Sequence, residues 1–163
     1  LTDVDSFGAA IGIYRAANAL EKRAYIVINE VSASLKPLYT AYENNPDYPE
    51  RLFLNSAEAL ELADESSMVV VVDTNRPKMV ECEELLYVAK TIVVLDHHRQ
   101  SSDNIDNALL SYIEPYASSA CEMVSEVLQY IVDDIKIPNL EASSLYFISK
   151  ALGNFRSSIP TIS

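Results

Sequence analysis

The chain has 163 residues and a formal net charge of −12, from 24 acidic and 12 basic residues. Its length fits one domain, and a hydrophobic fraction of 49% excludes a disordered acidic tail. The negative charge argues against binding of duplex nucleic acid or anionic lipid, since both depend on Lys and Arg. No uninterrupted apolar stretch approaches the length of a membrane span, so we expect no membrane contact from this chain.

Apolar periodicity predicts helices and strands that alternate along the chain. Helical spacing and capping residues indicate helices over 7–22, 33–43, 57–64, 120–132 and 139–150. Short apolar runs indicate strands over 24–29, 67–72 and 91–95. We expect Ser6 to open the first helix and Pro37 to break the second. The alternation predicts an α/β fold, with a Rossmann-like parallel sheet flanked by helices.

Acidic residues and histidines stand where the predicted strands would end. Asp73 and Asp96 each follow an apolar run directly, and His97 and His98 come next. A single Asp after a strand is more often a turn or cap residue, by roughly three to one. In a parallel sheet, however, the carboxyl ends of the strands share one edge, and ligands bind there. Four side chains are expected to converge at this edge as ligands for Mn²⁺ or Mg²⁺: Asp3, Asp5, Asp73 and His97.

Four segments of the chain resemble the DHH phosphoesterase family. They are Asp3-Val4-Asp5-Ser6, Val72-Asp73-Thr74, Asp96-His97-His98-Arg99 and Glu114-Pro115-Tyr116-Ala117-Ser118-Ser119. The resemblance covers about residues 3–146 and is closest to the DHH/DHHA1 cyclic-di-AMP phosphodiesterases of bacteria. It implies a hydrolase with two metal ions, Mn²⁺ being the usual cation and Mg²⁺ the alternative.

Roles for individual residues follow from this resemblance. Asp3 would bind the first ion, and Asp73 would bridge both. Asp5 and His97 would bind the second ion. Two such ions neutralise the charge of a phosphodiester and lower the pKa of a bridging water.

The remaining catalytic and substrate-binding candidates lie beside the metal ligands or in the Glu114–Ser119 segment. Asp96 would orient an imidazole, and His98 would contact the phosphate. Arg99 is either a phosphate-binding cation or a solvated surface residue. Ser118 or Ser119 caps the helix over 120–132, and the start of that helix could also hold phosphate through its free N–H groups.

The chain departs from the family pattern at two metal ligands. The family places a His four residues before the first Asp, and a further Asp at the end of a later strand. Leu1 stands only two residues before Asp3, and no acidic residue follows Glu141. The first and last strands of the sheet are therefore expected to be missing. We expect a partial DHH domain over 1–146, a divergent or truncated tail over 147–163, and no DHHA1 domain.

The leading interpretation is a phosphodiesterase that hydrolyses cyclic di-AMP to linear pApA, with little activity in this chain alone because each metal lacks one ligand. A nanoRNase-like hydrolase of short oligonucleotides and a non-catalytic nucleotide- or metal-binding module stay open as alternatives. The family also implies a cytoplasmic domain of a membrane-anchored parent protein, and a homodimer is a further open expectation. Cys82 and Cys121 are expected to be unpaired thiols in the hydrophobic packing.

Overall fold

The computed structural model of the chain describes residues 2–131 and 133–151. Its helices are α1 (Val4–Ala19), α2 (Lys36–Glu43), α3 (Ser56–Leu62), α4 (Leu85–Val88), α5 (Ala120–Ile131) and α6 (Asn139–Ala151), with a 3₁₀ turn at Pro77–Met79. Its strands are β1 (Ile26–Val27), β2 (Phe53–Leu54), β3 (Met68–Val72), β4 (Thr91–Asp96) and β5 (Leu110–Ile113). Most of the expected tail over 147–163 lies outside the described residues. Among the residues described, every helix is too short or too polar to cross a bilayer.

All pairings between these strands are parallel, which confirms the predicted α/β fold. β1 pairs with β2, and a second group has the order β3-β4-β5. In the second group, Val72 lies opposite Leu95, so β3 and β4 end side by side. An isolated parallel bridge between Thr2 and Val31 precedes α1.

Two expectations about helix ends were wrong. α1 begins at Val4 because Asp3, rather than Ser6, is its N-cap: the Asp3 carboxylate accepts a hydrogen bond from the Ser6 backbone N–H at 2.9 Å. Pro37 does not break α2 but lies in its first turn. Proline is tolerated there because a first-turn N–H has no partner within the helix.

The sequence patterns missed β2, β5 and α4, which are short and lack a continuous apolar run or helical repeat. β5 forms the edge of its sheet, and Leu110 is 56% exposed. Such an exposed edge strand carries little of the burial signal that marked β3 and β4. Both cysteines are free and buried, as expected.

α1 is buried on two sides and therefore organises the core. Phe7 and Ile11 are fully buried in a cluster with residues of β1 and α2. On another side, Ala9 and Ala16 pack against α5 and the end of β4. The approach to α5 is close at Gly12, where an added Cβ would lie 2.4 Å from Val124 Cγ1. The small residues of α1 thus allow its backbone to pack closely against the side chains of α5.

A buried ion pair ties α1 to α6. Glu141 is fully buried, and its two carboxylate oxygens accept hydrogen bonds from Arg15 Nε at 2.6 Å and Arg15 Nη2 at 2.5 Å. The Tyr48 hydroxyl donates to the same carboxylate at 2.8 Å. The hydrogen bond to Glu141 raises the pKa of the Arg15 guanidinium, although burial opposes this. Every charge in this cluster is therefore compensated within the core.

We predict that Gly12→Ala destabilises the chain by about 1–3 kcal/mol, because the clash with the stiff Val124 outweighs the higher helix propensity of Ala. Urea unfolding followed by circular dichroism measures the change. Adding Val124→Ala removes the clash, so the double variant should lose less stability than the sum of the single variants. Additive effects would show that the close approach is not what constrains position 12.

We predict that Glu141→Gln lowers the free energy of unfolding by roughly 3 kcal/mol, because it leaves the Arg15 guanidinium without its buried counter-ion. The matched control is Glu65→Gln, which removes the partner of Lys90 in an exposed ion pair. That control should change stability by less than about 1 kcal/mol. Equal effects of the two variants in urea unfolding would contradict the role of burial.

Candidate metal centre

The register of two parallel strands places the candidate residues at one edge of the sheet. The Asp73 backbone N–H donates to the Leu95 carbonyl at 3.0 Å, directly after β3. Asp96 is the last residue of β4 rather than the first residue after it, and His97 follows. Because both strands run in the same direction, the side chains that follow them share one edge.

Asp73, His97 and His98 form the compact cluster of this edge. Asp73 Oδ1 lies 3.2 Å from His97 Nε2 and 3.9 Å from His98 Nδ1. One ligand atom from each of the three residues lies within 4.8 Å of the others. Asp5 Oδ2 approaches the same group, 3.6 Å from His97 Nε2. Residues from α1, β3 and β4 thus meet at one point.

Asp73 has features that suit a cation ligand. Its Oδ1 atom is buried and accepts no hydrogen bond from the described residues, although His97 Nε2 lies 3.2 Å away. Burial, followed by the charges of Asp5 and Asp3, raises the pKa of Asp73 to about 7. A divalent cation would give this oxygen a partner and offset the repulsion between carboxylates. The donor set of carboxylate oxygen and imidazole nitrogen therefore fits such a cation.

The backbone of Asp73 adopts a left-handed conformation, with φ of 64°. This conformation is uncommon for residues other than Gly, and Asp and Asn tolerate it best. It turns the chain sharply at the end of β3, where the Asp73 side chain meets the two histidines. A strained backbone at a cluster of potential ligands is typical of functional sites.

Asp5 is held by the start of α5. Its carboxylate accepts hydrogen bonds from the backbone N–H groups of Ala120 at 2.9 Å and Cys121 at 3.0 Å. The Cys121 thiol also donates to the Asp5 carbonyl at 3.2 Å. The positive end of a helix favours an ionised carboxylate. Asp5 is thereby fixed beside His97.

Asp3 lies at the margin of the site. It is exposed, and its Oδ1 accepts hydrogen bonds from the N–H and hydroxyl of Ser6 at 2.9 and 3.0 Å. It does not belong to the compact set of ligand atoms in the described part of the chain. Its charge nevertheless contributes to the raised pKa of Asp73. Its expected role as ligand of the first metal stays a prediction.

His98 is oriented from within the protein. Asp96 is fully buried, and its Oδ1 lies 2.7 Å from His98 Nδ1. Burial alone would lower the pKa of His98, but the hydrogen bond and charge of Asp96, together with the charges of Asp73 and Asp5, raise it above the usual value. The other oxygen of Asp96 accepts a hydrogen bond from Asn75 Nδ2 at 2.6 Å. Sequence reasoning missed Asn75, although its position just after a strand end was a usable signal.

The serines at the start of α5 are engaged within the protein. Ser119 Oγ accepts a hydrogen bond from the Glu122 N–H at 3.1 Å, as an N-cap does. The Ser118 N–H and hydroxyl both donate to the Glu122 carboxylate. Since the next two N–H groups bind Asp5, the contacts favour the capping role. Phosphate binding by Ser118 and Ser119 stays a prediction.

Arg99 follows His98 directly in the sequence. Its side chain is exposed and lines an open groove. The groove has a volume of about 560 Å³ and is lined by Arg99, Gln100, Ser111, Ile113, Pro115 and Tyr116. It combines a cation with the exposed ring of Tyr116, which suits an anionic ligand that carries an aromatic base.

Comparisons with known proteins place this geometry in context. Residues 1–148 match the DHH family, N-terminal domain. The chain is 40% identical over 145 residues to the cyclic-di-AMP phosphodiesterase GdpP of Bacillus subtilis (strain 168), which covers 88% of this chain and 22% of that protein. It is 37% identical over 145 residues to the cyclic-di-AMP phosphodiesterase PdeA of Listeria monocytogenes serotype 1/2a, with the same coverage. The chain thus spans about a fifth of the length of these relatives.

A solved structure shares the fold at low sequence identity. An exopolyphosphatase-related protein from Bacteroides fragilis aligns with a TM-score of 0.69 and 20% identity, over 93% of this chain and 44% of that chain. At this identity the likeness supports the parallel α/β architecture alone.

We predict that Asp73→Asn makes the metal-free chain more stable by about 2 kcal/mol at pH 8 and leaves it nearly unchanged at pH 4. The folded pKa of Asp73, about 7, lies above the unfolded value of about 3.9. The folded state therefore binds the Asp73 proton more tightly than the unfolded state does. The contribution of protonated Asp73 to the free energy of unfolding is complete below about pH 4 and is lost as the pH rises through about 7. Thermal or urea unfolding after chelator treatment measures the difference.

The same variant should lose the stabilisation that added Mn²⁺ gives to the unmodified chain, because the shared ligand oxygen is replaced. Asp134→Asn is the matched control, since Asp134 is exposed and also has a positive φ, of 55°. The control should change neither the pH dependence nor the response to Mn²⁺. If Asp73→Asn still responded to Mn²⁺ like the unmodified chain, the metal site would lie elsewhere.

Proposed function

The chain belongs to the DHH family, and on that premise we propose that it forms the metal-dependent phosphodiesterase domain of a protein that hydrolyses cyclic di-AMP to linear pApA. The observation that carries the proposal is the buried Asp73 oxygen, which accepts no hydrogen bond within the described part of the chain and lies beside two imidazoles at the edge of the sheet. Three relatives that are 37–40% identical to the chain are named cyclic-di-AMP phosphodiesterases.

Asp73, His97 and Asp5 would hold the cation, with Asp3 completing the set for a second ion. Divalent ions bound at such a site activate a water and neutralise charge on the phosphodiester. Mn²⁺ is the proposed cation and Mg²⁺ the alternative, since both accept carboxylate oxygens, while the imidazole favours the softer Mn²⁺. The carboxylate of Asp5 is held in place for this role by the first N–H groups of α5.

His98 would contact the phosphate of the substrate. Its Nδ1 faces Asp96, which leaves Nε2 free to interact outside the protein, and its side chain is 58% exposed. The raised pKa of His98 favours the cationic form, which suits a phosphate oxygen. Asp96 would act through His98 as a positioning residue.

The strongly acidic chain must overcome repulsion of an anionic dinucleotide. We place the substrate side of the site next to Arg99, whose exposed guanidinium supplies positive charge beside His98. Ser118 and Ser119 lie at the start of α5 and could reach the substrate only if their contacts with Glu122 rearranged. They are the weaker candidates for substrate binding.

Two alternatives predict different behaviour. A nanoRNase-like hydrolase would prefer pApA and short single strands to cyclic di-AMP. A non-catalytic nucleotide- or metal-binding module is favoured by one observation: among the described residues, the compact ligand cluster consists of Asp73, His97 and His98 and includes neither Asp3 nor Asp5. For the same reason we expect slow turnover by this chain alone. A homodimer and a membrane-anchored parent protein stay predictions.

We predict Mn²⁺-dependent conversion of cyclic di-AMP to pApA, with pApA and longer single-stranded oligonucleotides cleaved more slowly. Chromatography of the products over a substrate panel measures this, with chelator-treated protein as the blank. His97→Ala should reduce turnover at least about 100-fold, because it removes a ligand, whereas Asp134→Asn should not. Preference for pApA would support the nanoRNase alternative, and two Mn²⁺ bound without turnover would support the non-catalytic module.

A further inference from the structure

Asn75 joins the end of β3 to the end of β4 from a buried position. Its side chain is 4% exposed, and Nδ2 donates to Asp96 Oδ2 at 2.6 Å. The same nitrogen lies 3.4 Å from the His98 carbonyl. The Asn75 carbonyl in turn accepts a hydrogen bond from the Ile105 N–H at 2.8 Å. The residue is thus fixed through both its backbone and its amide.

Asp96 has one partner for each carboxylate oxygen among the described residues. Oδ1 faces His98 Nδ1 and Oδ2 faces Asn75 Nδ2. Because the carboxylate is fully buried, an oxygen without a donor would be costly. The amide of Asn75 is neutral, so among the described residues His98 is the only titratable group bonded to this carboxylate.

The orientation of the Asn75 amide is dictated by this contact. If the amide were reversed, Oδ1 would face Asp96 Oδ2, and two acceptors would repel. With Nδ2 towards Asp96, the Asn75 Oδ1 atom is buried and finds no hydrogen-bond partner in residues 2–131 and 133–151. Buried polar atoms are rarely left unsatisfied, so this cost requires a compensating role for the N–H group.

We infer that Asn75 is a positioning residue, which acts through Asp96 to hold the His98 imidazole in one orientation and in the Nδ1–H tautomer. Because the Asn75 N–H binds Oδ2 of Asp96, the Asp96 carboxylate cannot rotate, and its Oδ1 accepts a hydrogen bond from His98 Nδ1. The Nε2 atom of His98 then stays free for contacts outside the protein. The consequence for turnover rests on the function proposed above, whereas the tautomer and orientation do not.

The chain suits a direct test because it contains only two histidines, His97 and His98. Imidazole ¹⁵N–¹H correlation spectra of the metal-free chain, at a pH where both rings are neutral, report the tautomer of each. We expect His98 in the unmodified chain to favour Nδ1–H over Nε2–H by at least about tenfold, as a hydrogen bond to a buried carboxylate would give. Asn75→Ala and Asn75→Asp should each lower this ratio at least about threefold.

The two variants separate a donor from a space-filling role. Asn75→Asp keeps the shape of the side chain and removes the N–H donor, so a packing role predicts the spectrum of the unmodified chain. Asn107→Ala is the matched control, since the Asn107 amide also donates to a backbone carbonyl, that of Leu86 in α4, outside the site. It should leave the His98 signals unchanged.

An exchange of the two side chains gives a stricter test. In Asp96→Asn alone, the amide of residue 75 donates to the new carbonyl oxygen, which turns an NH₂ group towards His98 and favours the Nε2–H tautomer. In Asn75→Asp/Asp96→Asn, the donor and acceptor are exchanged, so a carbonyl oxygen faces His98 again. The double variant should restore the Nδ1–H tautomer. Because both substitutions keep the side-chain volume, this test is available even if Asn75→Ala fails to fold.

Turnover of cyclic di-AMP with Mn²⁺ provides the second measurement. Asn75→Ala should lower kcat by about 10–100-fold and change KM less than about twofold, because His98 is displaced while the metal ligands remain. If neither the unmodified chain nor any variant has activity but the tautomer shifts as described, the proposed function fails and the positioning role stands. If Asn75→Asp leaves the His98 spectrum unchanged and the exchanged variant restores nothing, the positioning role is overturned.

Discussion

The parallel register of β3 and β4 is the constraint on which the rest of the site depends. Val72 lies opposite Leu95, so Asp73 and the Asp96–His98 segment reach the same edge at the same height. A slip of one residue would turn every side chain of a strand to the opposite face. The register is fixed because both strands are continuous apolar runs with buried residues on them, such as Val71 and Val94.

The second requirement is the close packing of α1 on α5. Gly12 lets the helices approach, and the carboxylate of Asp5 binds the first backbone N–H groups of α5. One side chain thus serves the fold as a cap and the site as a neighbour of His97. This double use explains how residues 116 positions apart in the chain come to one point.

Electrostatics gives the site its character. The chain has a net charge of −12, and several of its carboxylates meet at one edge of the sheet. Burial and the neighbouring carboxylates raise the pKa of Asp73 to about 7. The hydrogen bond and charge of Asp96 raise the pKa of His98, although burial opposes this, and the His98 side chain is 58% exposed. This arrangement suits a site that binds cations within the protein and an anionic substrate at its surface.

The sequence by itself determined β3, β4, the main helices and the group of acidic residues and histidines, because long apolar runs and polar residues at their ends are local signals. The resemblance to the DHH family, drawn from four short segments, was also confirmed. Only the tertiary structure decided that Asp3 caps α1, that Asp5 binds α5, and that Asn75 holds Asp96. These contacts join residues distant in sequence or depend on backbone turns, and no periodic pattern along the chain encodes them.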